Sequence, residues 1–480
     1  MILSAPQMVE AERAAFARGE SAEWLMEIAG KRMAEFVRQY HPRPGTCRVF
    51  AGKGHNGGDV LVAARHLADM GWRIEIEPLF SPYDLSPLTA KQMAALPTKS
   101  MATATHPLVV LDGLLGIGAS GDPREPIASA IDRINELRRK NAAWVLSADV
   151  PSGLGHLGVE ADATLTVGFP KSSLLDDSAT QFVGRLAVAS LPGLIAPPDA
   201  DPAEVLVAEN LRRLLPPRSF DTHKGSYGRV AILAGSQNYP GAARLCSAAA
   251  VHAGAGLVTL FCPAEVSAIL SSAVIPEVMV SPVEDFADVP LENFSAVAIG
   301  PGLGRDRDEM VRRFVHDCPV PCVVDADALN AVSESPGLLK SCVGARLLTP
   351  HPLEMERLFP RQNLSRRAWL EAFVGEFPVT LLLKGSRTII GEAGAATSFN
   401  STGHPGMGSG GMGDVLTGVS VALIAQGKSP LEAAKLAAWI CGRSAEISLC
   451  DGRISPESLS ASDVIDFLGA AFTDLRHGVL

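Results

Sequence analysis

Residues 403–418 read GHPGMGSGGMGDVLTG, a run with seven glycines and one carboxylate, Asp414, in which an apolar helical pattern begins at Val415. Glycine lets a backbone approach a ligand closely and adopt dihedrals that other residues avoid. A helix that begins after such a run points its unpaired amides and the positive end of its dipole back at the loop. That arrangement binds anions, most often phosphates. We therefore predict a phosphate site in which Asp414 accepts a proton from the hydroxyl that meets the phosphate.

The composition limits the class of protein. The chain has 480 residues, of which 47% are hydrophobic, and a net charge of −10, which suggests two or three domains with sizeable cores. It contains no basic stripe, so we do not expect nucleic acid as a main partner. The eight cysteines include no C-x-x-C, and Cys318 and Cys322 are the closest pair, which favours reduced thiols over a zinc site.

The N-terminus shows no basic-then-apolar signal pattern and carries Glu10 and Glu12 early. No window reaches the ~18 uninterrupted apolar residues of a membrane span. We expect a cytoplasmic protein that binds no membrane and forms a homo-oligomer.

A proline-rich segment, residues 191–204, divides the chain. It reads LPGLIAPPDADPAE, which is typical of an extended surface linker, and we place the domains at 1–208 and 209–480. Short apolar runs alternate with helical patterns on both sides, which predicts an α/β fold with doubly wound parallel sheets. The predicted strands are 47–51, 72–79, 108–111 and 144–147, then 229–233, 257–261, 296–299, 322–324, 346–348 and 379–383. The predicted helices include 4–19, 21–39, 59–70, 127–140, 242–252, 353–358 and 430–449.

Three polar, glycine-rich loops follow predicted strands of the first part. They read GKGHNGGD (52–59), DGLLGIGASGD (112–122) and DVPSG (149–153). Ligands of open parallel sheets bind beyond the carboxyl ends of strands, so we expect these loops to share one site for a pyrophosphate-bearing ligand. The oxygen donors Asn56, Asp112 and Ser152 suit a hard cation. Asp112 and Asp149 are also consistent with capping or turn formation, and His55 with a solvated loop residue.

These loops, together with ADATLTVGFPK at 161–171, resemble the NAD(P)H-hydrate epimerase domain over residues 3–207. The first loop of that family usually reads NNGGDG, so His55 and Val60 are departures. The resemblance implies a Rossmann-like three-layer αβα fold and a potassium ion held by Asn56, Asp112 and Ser152. We assign acid–base catalysis to Asp149, since a carboxylate at a strand end can reach the reacting carbon. The implied contacts to the hydrated cofactor come from His55, Asn56, Gly57, Gly58, Asp59, Gly116, Ile117, Gly118, Ala119, Ser120, Gly121, Asp122 and Asp149.

The second part carries six more polar motifs before the glycine run. They are HKGSYGRV (223–230), AGSQNYPGAA (234–243), IGPGLG (299–304), VVDADALN (323–330), LTPHPLEM (348–355) and LLKGSRTII (382–390). We expect all of them to follow apolar strands and to line one edge of a sheet. Asp325 and Asp327 either coordinate magnesium or only terminate a strand, and Lys384 either neutralises phosphate or is a surface charge.

By these motifs and their order, residues 211–468 resemble the NAD(P)H-hydrate dehydratase domain, which has a ribokinase-like αβα fold. Both halves together resemble the bifunctional NAD(P)H-hydrate repair enzymes, which implies hydrated NADH or NADPH and ADP with Mg²⁺ as ligands. His404 and Ser409 stand where the family often has Asn and Thr. The implied contacts are Ala242, Gly302, His351 and Asp414 to the damaged cofactor, and Lys384, Gly385, Ser386, Arg387, Thr388 and Gly413 to the adenine nucleotide.

Two other functions fit parts of the sequence. A vitamin-precursor kinase shares the ribokinase-like fold but releases a phosphorylated product, and fold alone does not exclude it. Epimerase-like domains also occur in RNA-decapping scaffolds, which are binding proteins. Against the scaffold, Asp112, Asp149 and Asp414 are all retained, and the chain is acidic.

Overall fold

The computed structural model describes residues 1–96, 106–119, 121–155, 157–450 and 452–480. Within it the chain forms two compact units, Met1–Val205 together with Leu480, and Leu206–Val479. The predicted linker is mostly irregular and partly exposed, and it ends in a short strand that begins at Glu204. No helix among the described residues is both long enough and apolar enough to cross a bilayer.

The first unit is a six-stranded parallel sheet with helices on both faces. The strands are β1 Thr46–Ala51, β2 Arg73–Ile76, β3 Leu108–Gly113, β4 Trp144–Ala148, β5 Ala163–Val167 and β6 Arg185–Ala189. The helices are α1 Ala5–Ala17, α2 Ala22–Tyr40, α3 His55–Asp69, α4 Pro87–Ala94, α5 Ile127–Asn141 and α6 Thr180–Val183. The strand order in the sheet is β2-β1-β3-β4-β5-β6. Alternate residues of β3 face opposite layers, because Val109 and Leu111 join the cluster under α2 and α3 whereas Val110 joins the cluster under α5.

The second unit is built on a ten-stranded sheet. The strands are β7 Glu204–Leu206, β8 Arg229–Leu233, β9 Leu257–Cys262, β10 Val278–Pro282, β11 Ala296–Ile299, β12 Cys322–Val324, β13 Arg346–Leu348, β14 Thr380–Leu383, β15 Ile389–Gly391 and β16 Ser398–Asn400. Their order in the sheet is β10-β9-β8-β11-β12-β13-β14-β15-β16-β7. Strands β8 to β14 pair in parallel, and β15 pairs antiparallel with both β14 and β16. The helices are α7 Ala208–Leu211, α8 Pro240–His252, α9 Ala264–Ala273, α10 Asp308–Asp317, α11 Asp327–Ser333, α12 Pro352–Leu358, α13 Arg366–Glu376, α14 Met412–Ala425, α15 Pro430–Leu449 and α16 Ala461–His477.

Helix α14 lies at the centre of the core of the second unit. All its residues from Val415 to Ala425 are buried, and it packs against α8 and α15. Close approach of α8 requires Gly418, because a Cβ there would lie 2.2 Å from the carbonyl oxygen of Cys246. The helix that follows the glycine run is therefore packed into the core from Val415 to Ala425.

The prediction of two α/β domains, each with a mainly parallel sheet between helices, is confirmed. Four strands of the second unit have the predicted bounds: β8, β11, β12 and β13. The start of α3 is a correction. We expected a helix from residue 59, but α3 begins at His55, so residues 55–59 form its first turn rather than a loop. The glycines there serve close packing, since a Cβ on Gly57 would lie 2.1 Å from the carbonyl oxygen of Gly52.

Candidate active sites

The glycine run opens α14 as predicted. Gly411, with φ of 90°, precedes the helix, and Gly413 and Asp414 lie in its first turn. A Cβ on Gly413 would lie 3.3 Å from Lys384 Nζ and 3.5 Å from Asp325 Oδ2. The helix N-terminus thus meets the ends of β12 and β14 at one place on the sheet edge.

A buried carboxylate organises this place. Asp325, only 1% exposed, accepts hydrogen bonds from Lys384 Nζ at 2.8 Å and from Thr417 Oγ1 at 2.8 Å. Asp327 accepts from the Gly304 amide at 2.8 Å at the start of α11. Both carboxylates therefore hold protein groups. Among the described residues, no set of three His, Cys, Asp or Glu side chains is arranged to hold a metal ion.

The electrostatics of this cluster favour a proton acceptor. Burial, followed by the negative charge of Asp325, raises the pKa of Asp414 to about 7, although Lys384 acts to lower it. Burial acts to lower the pKa of Lys384, but the neighbouring Asp325 and Glu354 carboxylates raise it overall. Lys384 is therefore a charged group inside the cluster, 20% exposed, and not a surface charge.

The four residues predicted to face the damaged cofactor follow β8, β11 and β13 or open α14. A Cβ on Gly302 would lie 2.9 Å from Ala242 Cβ, so these two residues are adjacent. His351 caps α12 through Nδ1, and its Nε2 lies 3.5 Å from Glu354 Oε1. Glu354 in turn lies 3.7 Å from Lys384 Nζ, which links the His351 side of the site to the Lys384 side.

The predicted nucleotide loop directly follows β14. Gly385 and Ser386 are exposed and Arg387 is buried. Thr388 Oγ1 donates to the Gly385 carbonyl at 3.4 Å. With Lys384 at its start, this loop lies next to Gly413, so the structure brings together the residues predicted for the nucleotide.

One motif does not lie at this edge. HKGSYG precedes β8, and the Tyr227 carbonyl accepts a hydrogen bond from the Gly256 amide, just before β9, at 3.2 Å. It therefore lies at the amino ends of parallel strands, opposite the site, and our expectation for HKGSYG was wrong. The other motifs do follow their strands.

The first unit also assembles a polar site at the carboxyl ends of its strands. Asp112, fully buried, accepts from Ser147 Oγ at 2.8 Å and from Ser152 Oγ at 2.6 Å. Asn56 Nδ2 donates to the Leu115 carbonyl at 2.8 Å, and the Leu115 amide donates to Ser152 Oγ at 2.9 Å. These bonds join the three predicted loops into one structure.

Two features of this site suit a cation. Asn56 Oδ1 is buried and accepts no hydrogen bond from any described residue. Burial raises the pKa of Asp112, and only neutral hydroxyls and amides oppose that effect. An uncompensated carboxylate beside an orphaned amide oxygen fits a hard cation with oxygen ligands.

Asp149 directly follows β4 and has φ of 63°, which is uncommon for a residue with a side chain and clusters at functional sites. Its Oδ1 accepts from the Val167 amide at 3.1 Å and also pairs with Lys171 Nζ. Its Oδ2 accepts no hydrogen bond from a described residue, so the protein holds one oxygen of the carboxylate and not the other.

Lys171 was missed as a site residue. It is 2% exposed, and besides Asp149 it donates to Thr166 Oγ1 at 3.1 Å and to the Val167 carbonyl at 2.6 Å. Burial, then the charges of Asp149 and Glu12, raises the pKa of Asp59 well above its usual range. A lysine that closely follows the strand ATLTV at 163–167 is a signal that could have identified it.

The remaining predicted contacts of the first site vary in exposure. Gly116 lies next to Asn56, because a Cβ there would be 3.4 Å from Asn56 Cβ. Ile117 packs on the cluster of Leu3 and Met8, and His55 is exposed. Gly118, Ala119, Gly121 and Asp122 are also exposed, and Ser120 lies outside the described residues. Val60, one of the two departures from the usual sequence of the family's first loop, is fully buried against Gly113, so its side chain fills space between α3 and the sheet.

Comparison with known proteins covers both units. Residues 230–465 match the family model described as NAD(P)H-hydrate dehydratase, and residues 22–173 match YjeF-related protein N-terminus. The chain is 34% identical to a bifunctional NAD(P)H-hydrate repair enzyme of Moorella thermoacetica, over 95% of this chain and 93% of that one. A relative of the same description from Coxiella burnetii is 33% identical, over 96% and 97%.

A solved structure matches the second unit alone. It is the ADP/ATP-dependent NAD(P)H-hydrate dehydratase of Bacillus subtilis, co-crystallised with ATP/Mg²⁺, which is 27% identical with a TM-score of 0.50. The match covers 57% of this chain and 98% of that one. Together with the near-complete coverage of the two-domain relatives, these findings show that the chain belongs to the family of bifunctional NAD(P)H-hydrate repair enzymes.

Proposed function

We propose that this chain restores hydrated NADH and NADPH to the reduced cofactors. Residues 1–208 interconvert the R and S hydrates, and residues 209–480 dehydrate the S form at the expense of ADP, giving AMP and phosphate. The relatives are described as bifunctional NAD(P)H-hydrate repair enzymes, and the two polar sites of this chain supply groups suited to both reactions. A vitamin-precursor kinase and a scaffold are disfavoured, because it is these repair enzymes that match nearly the whole chain.

In the second unit, Asp414 takes the proton from the hydroxyl on the ring carbon next to the nicotinamide nitrogen. The β-phosphoryl group of ADP moves to that hydroxyl oxygen and AMP leaves. The ring nitrogen lone pair then expels phosphate by breaking the carbon–oxygen bond, and loss of a ring proton restores the double bond. Amides at the start of α14 and the Lys384 ammonium stabilise the charge on the transferred group, which is the main source of catalysis in phosphoryl transfer.

The position and pKa of Asp414 carry this proposal. A carboxyl group that titrates at about 7 is half ionised at neutral pH, which suits a general base. It lies on the first turn of the helix that the glycine run opens, beside Lys384. A kinase of the same fold would use the same groups, so the fate of the phosphate distinguishes the two.

The test is a product analysis. The chain is incubated with the S hydrate and Mg·ADP, and AMP, inorganic phosphate and reduced cofactor are measured together. We expect equal amounts of the three. A stable phosphorylated cofactor without free phosphate would instead indicate a kinase.

In the first unit, Asp149 is the acid–base residue of the epimerase reaction. Lys171 holds its Oδ1, so Oδ2 takes up and returns the proton that moves while the hydroxyl-bearing carbon changes configuration. The predicted contacts from residues 55–59, 116–119 and 121–122 would bind the hydrated cofactor at the same sheet edge.

Asn56, Asp112 and Ser152 would hold a potassium ion in this unit. The orphaned Asn56 oxygen and the buried Asp112 carboxylate support this assignment. When bound, the ion compensates the charge of Asp112 and anchors the loops. Its replacement by lithium should lower epimerase activity without loss of fold.

In the second unit, Mg²⁺ enters with the phosphates of ADP, because that ion is usually held by one or two carboxylates plus substrate phosphates. A cytoplasmic location and a homo-oligomeric assembly complete the proposal. Sedimentation of the purified chain measures the assembly.

A further inference from the structure

The predicted nucleotide loop is polarised by the hydrogen bonds of its carbonyl groups. Five of the six carbonyls from Leu383 to Thr388 accept a hydrogen bond from the protein. The Gly385 carbonyl accepts from Thr388 Oγ1, and the Thr388 carbonyl accepts from the Asn400 amide at 2.8 Å. Their partial negative charges are therefore satisfied within the protein.

Two successive amides of the same loop have no protein partner among the described residues, whereas the Lys384 amide donates to the Pro350 carbonyl at 2.9 Å. Gly385 and Ser386 are exposed, and their N–H groups donate to none of the described residues. Successive backbone amides that point to one side form an anion-binding concavity. Gly385 and Ser386 therefore offer two free amide donors to a ligand.

One side chain accounts for most of this polarity. Arg366 donates from Nη1 to the Arg387 carbonyl at 2.9 Å, and from Nη2 to the Leu383 carbonyl at 3.3 Å and the Lys384 carbonyl at 3.2 Å. It therefore connects both ends of the loop. Its own position is set by its place as the first residue of α13, after the capping residue Ser365.

Gly385 permits this contact. A Cβ at that position would lie 2.4 Å from Arg366 Nη2. Any larger residue would displace either the guanidinium or the loop.

We propose that Arg366 is a positioning residue for nucleotide binding. Its guanidinium turns the carbonyls of the loop inward, so that the free amides face the phosphates of the nucleotide. This inference rests on the proposed function, which assigns the nucleotide to residues 384–388. A planar fork of donors is required, because an ammonium group cannot reach carbonyls at both ends of the loop in one geometry.

The neighbouring Arg367 offers a matched control. It is on the same turn of α13 but pairs with Glu371 at 2.8 Å on the surface. The experiment measures Mg·ADP binding by calorimetry for the whole chain and for Arg366→Gln, Arg366→Lys and Arg367→Gln. We expect ~10-fold or more weaker binding for both Arg366 variants, since charged hydrogen bonds to the loop are lost, and binding within twofold for Arg367→Gln.

A second variant tests the same contact from the other side. Gly385→Ala should weaken ADP binding in the wild-type background and have a smaller effect in Arg366→Gln, where the side chain it would strike is shorter. The turnover number at saturating ADP should fall much less than the affinity, and epimerase activity of every variant should stay unchanged as a control for fold.

Three results would overturn the inference while the wild type binds ADP. They are unchanged affinity in Arg366→Gln, full affinity in Arg366→Lys, and additive effects of Arg366→Gln and Gly385→Ala. A wild-type chain that binds no ADP would instead refute the proposed function itself.

Discussion

The pH dependence of dehydration should report the ionisation of Asp414 directly. Because burial raises its pKa to about 7, the base is about one-tenth ionised at pH 6 and half ionised at pH 7. The turnover number at saturating ADP should therefore rise about fivefold from pH 6 to pH 7, and less than twofold above that.

Two substitutions should move this acidic limb in opposite directions. Thr417 lies one helical turn after Asp414, and its hydroxyl donates to Asp325, so the two carboxylates are neighbours at the start of α14. For a separation of roughly 6 Å and an effective dielectric constant of ~20, two charges interact by ~2–3 kcal/mol, or on the order of one to two pKa units. Asp325→Asn removes a charge that raises the pKa of Asp414, so the limb should shift to lower pH. Lys384→Met removes a charge that lowers it, so the limb should shift to higher pH.

The assay is the turnover number for the S hydrate between pH 5 and 9, with Asp466→Asn as a control because Asp466 is an exposed residue of α16. From low to high pH, the expected order of the midpoints of the acidic limb is Asp325→Asn, then wild type with the control, then Lys384→Met. A wild-type midpoint near the ordinary pKa of an aspartate, or two variants whose midpoints shift in the same direction, would refute this role of Asp414.

Further outcomes follow from other groups. Asp149→Asn should lower the rate of epimerisation by ~100-fold or more without changing dehydration of the pure S hydrate, as two coupled assays would show; full epimerase activity would exclude Asp149 as the acid–base residue. Asn56→Leu should abolish any potassium dependence of epimerisation, because the orphaned oxygen is removed; an undiminished response to potassium would exclude this ligand. His41, packed edge-on against Trp144, has its pKa lowered by burial to about 4. As the pH falls below about 6.5, the unfolded chain binds a proton at His41 that the folded chain binds only near pH 4. The free energy of unfolding should therefore fall by up to ~3 kcal/mol as the pH is lowered between these values. His41→Leu should flatten that dependence in urea unfolding, and an equally steep decline in the variant would show that another group is responsible.

Much of the fold was predictable because the strands of a parallel sheet are continuous apolar runs bounded by turn residues. Four strands of the second unit have the predicted bounds. Strands β15 and β16 were missed, since β15, IIG, begins inside the motif that we assigned to the nucleotide loop, and β16, SFN, has only one apolar residue. Strand β5, ATLTV, was overlooked, although it is buried throughout and is followed by Lys171.

The candidate sites were predictable to the extent that parallel strands deliver their following loops to one edge. This placed Asp149 and Asp414 correctly at strand and helix ends. It misplaced HKGSYG, because a motif that precedes its strand lies at the opposite edge. Sequence could not reveal that Lys171 and Asp325 hold other site residues, since those contacts join positions far apart in the chain.

The central claim is that one chain repairs both hydrates, and one measurement tests it most directly. An equal mixture of R and S hydrates is given to the chain with Mg·ADP, and the near-ultraviolet absorbance of the reduced ring is followed to completion. We expect complete recovery by the wild type, rapid recovery of only half by Asp149→Asn, and none by Asp414→Asn. Absence of recovery by the wild type, or a wild type that stops at half, would contradict it.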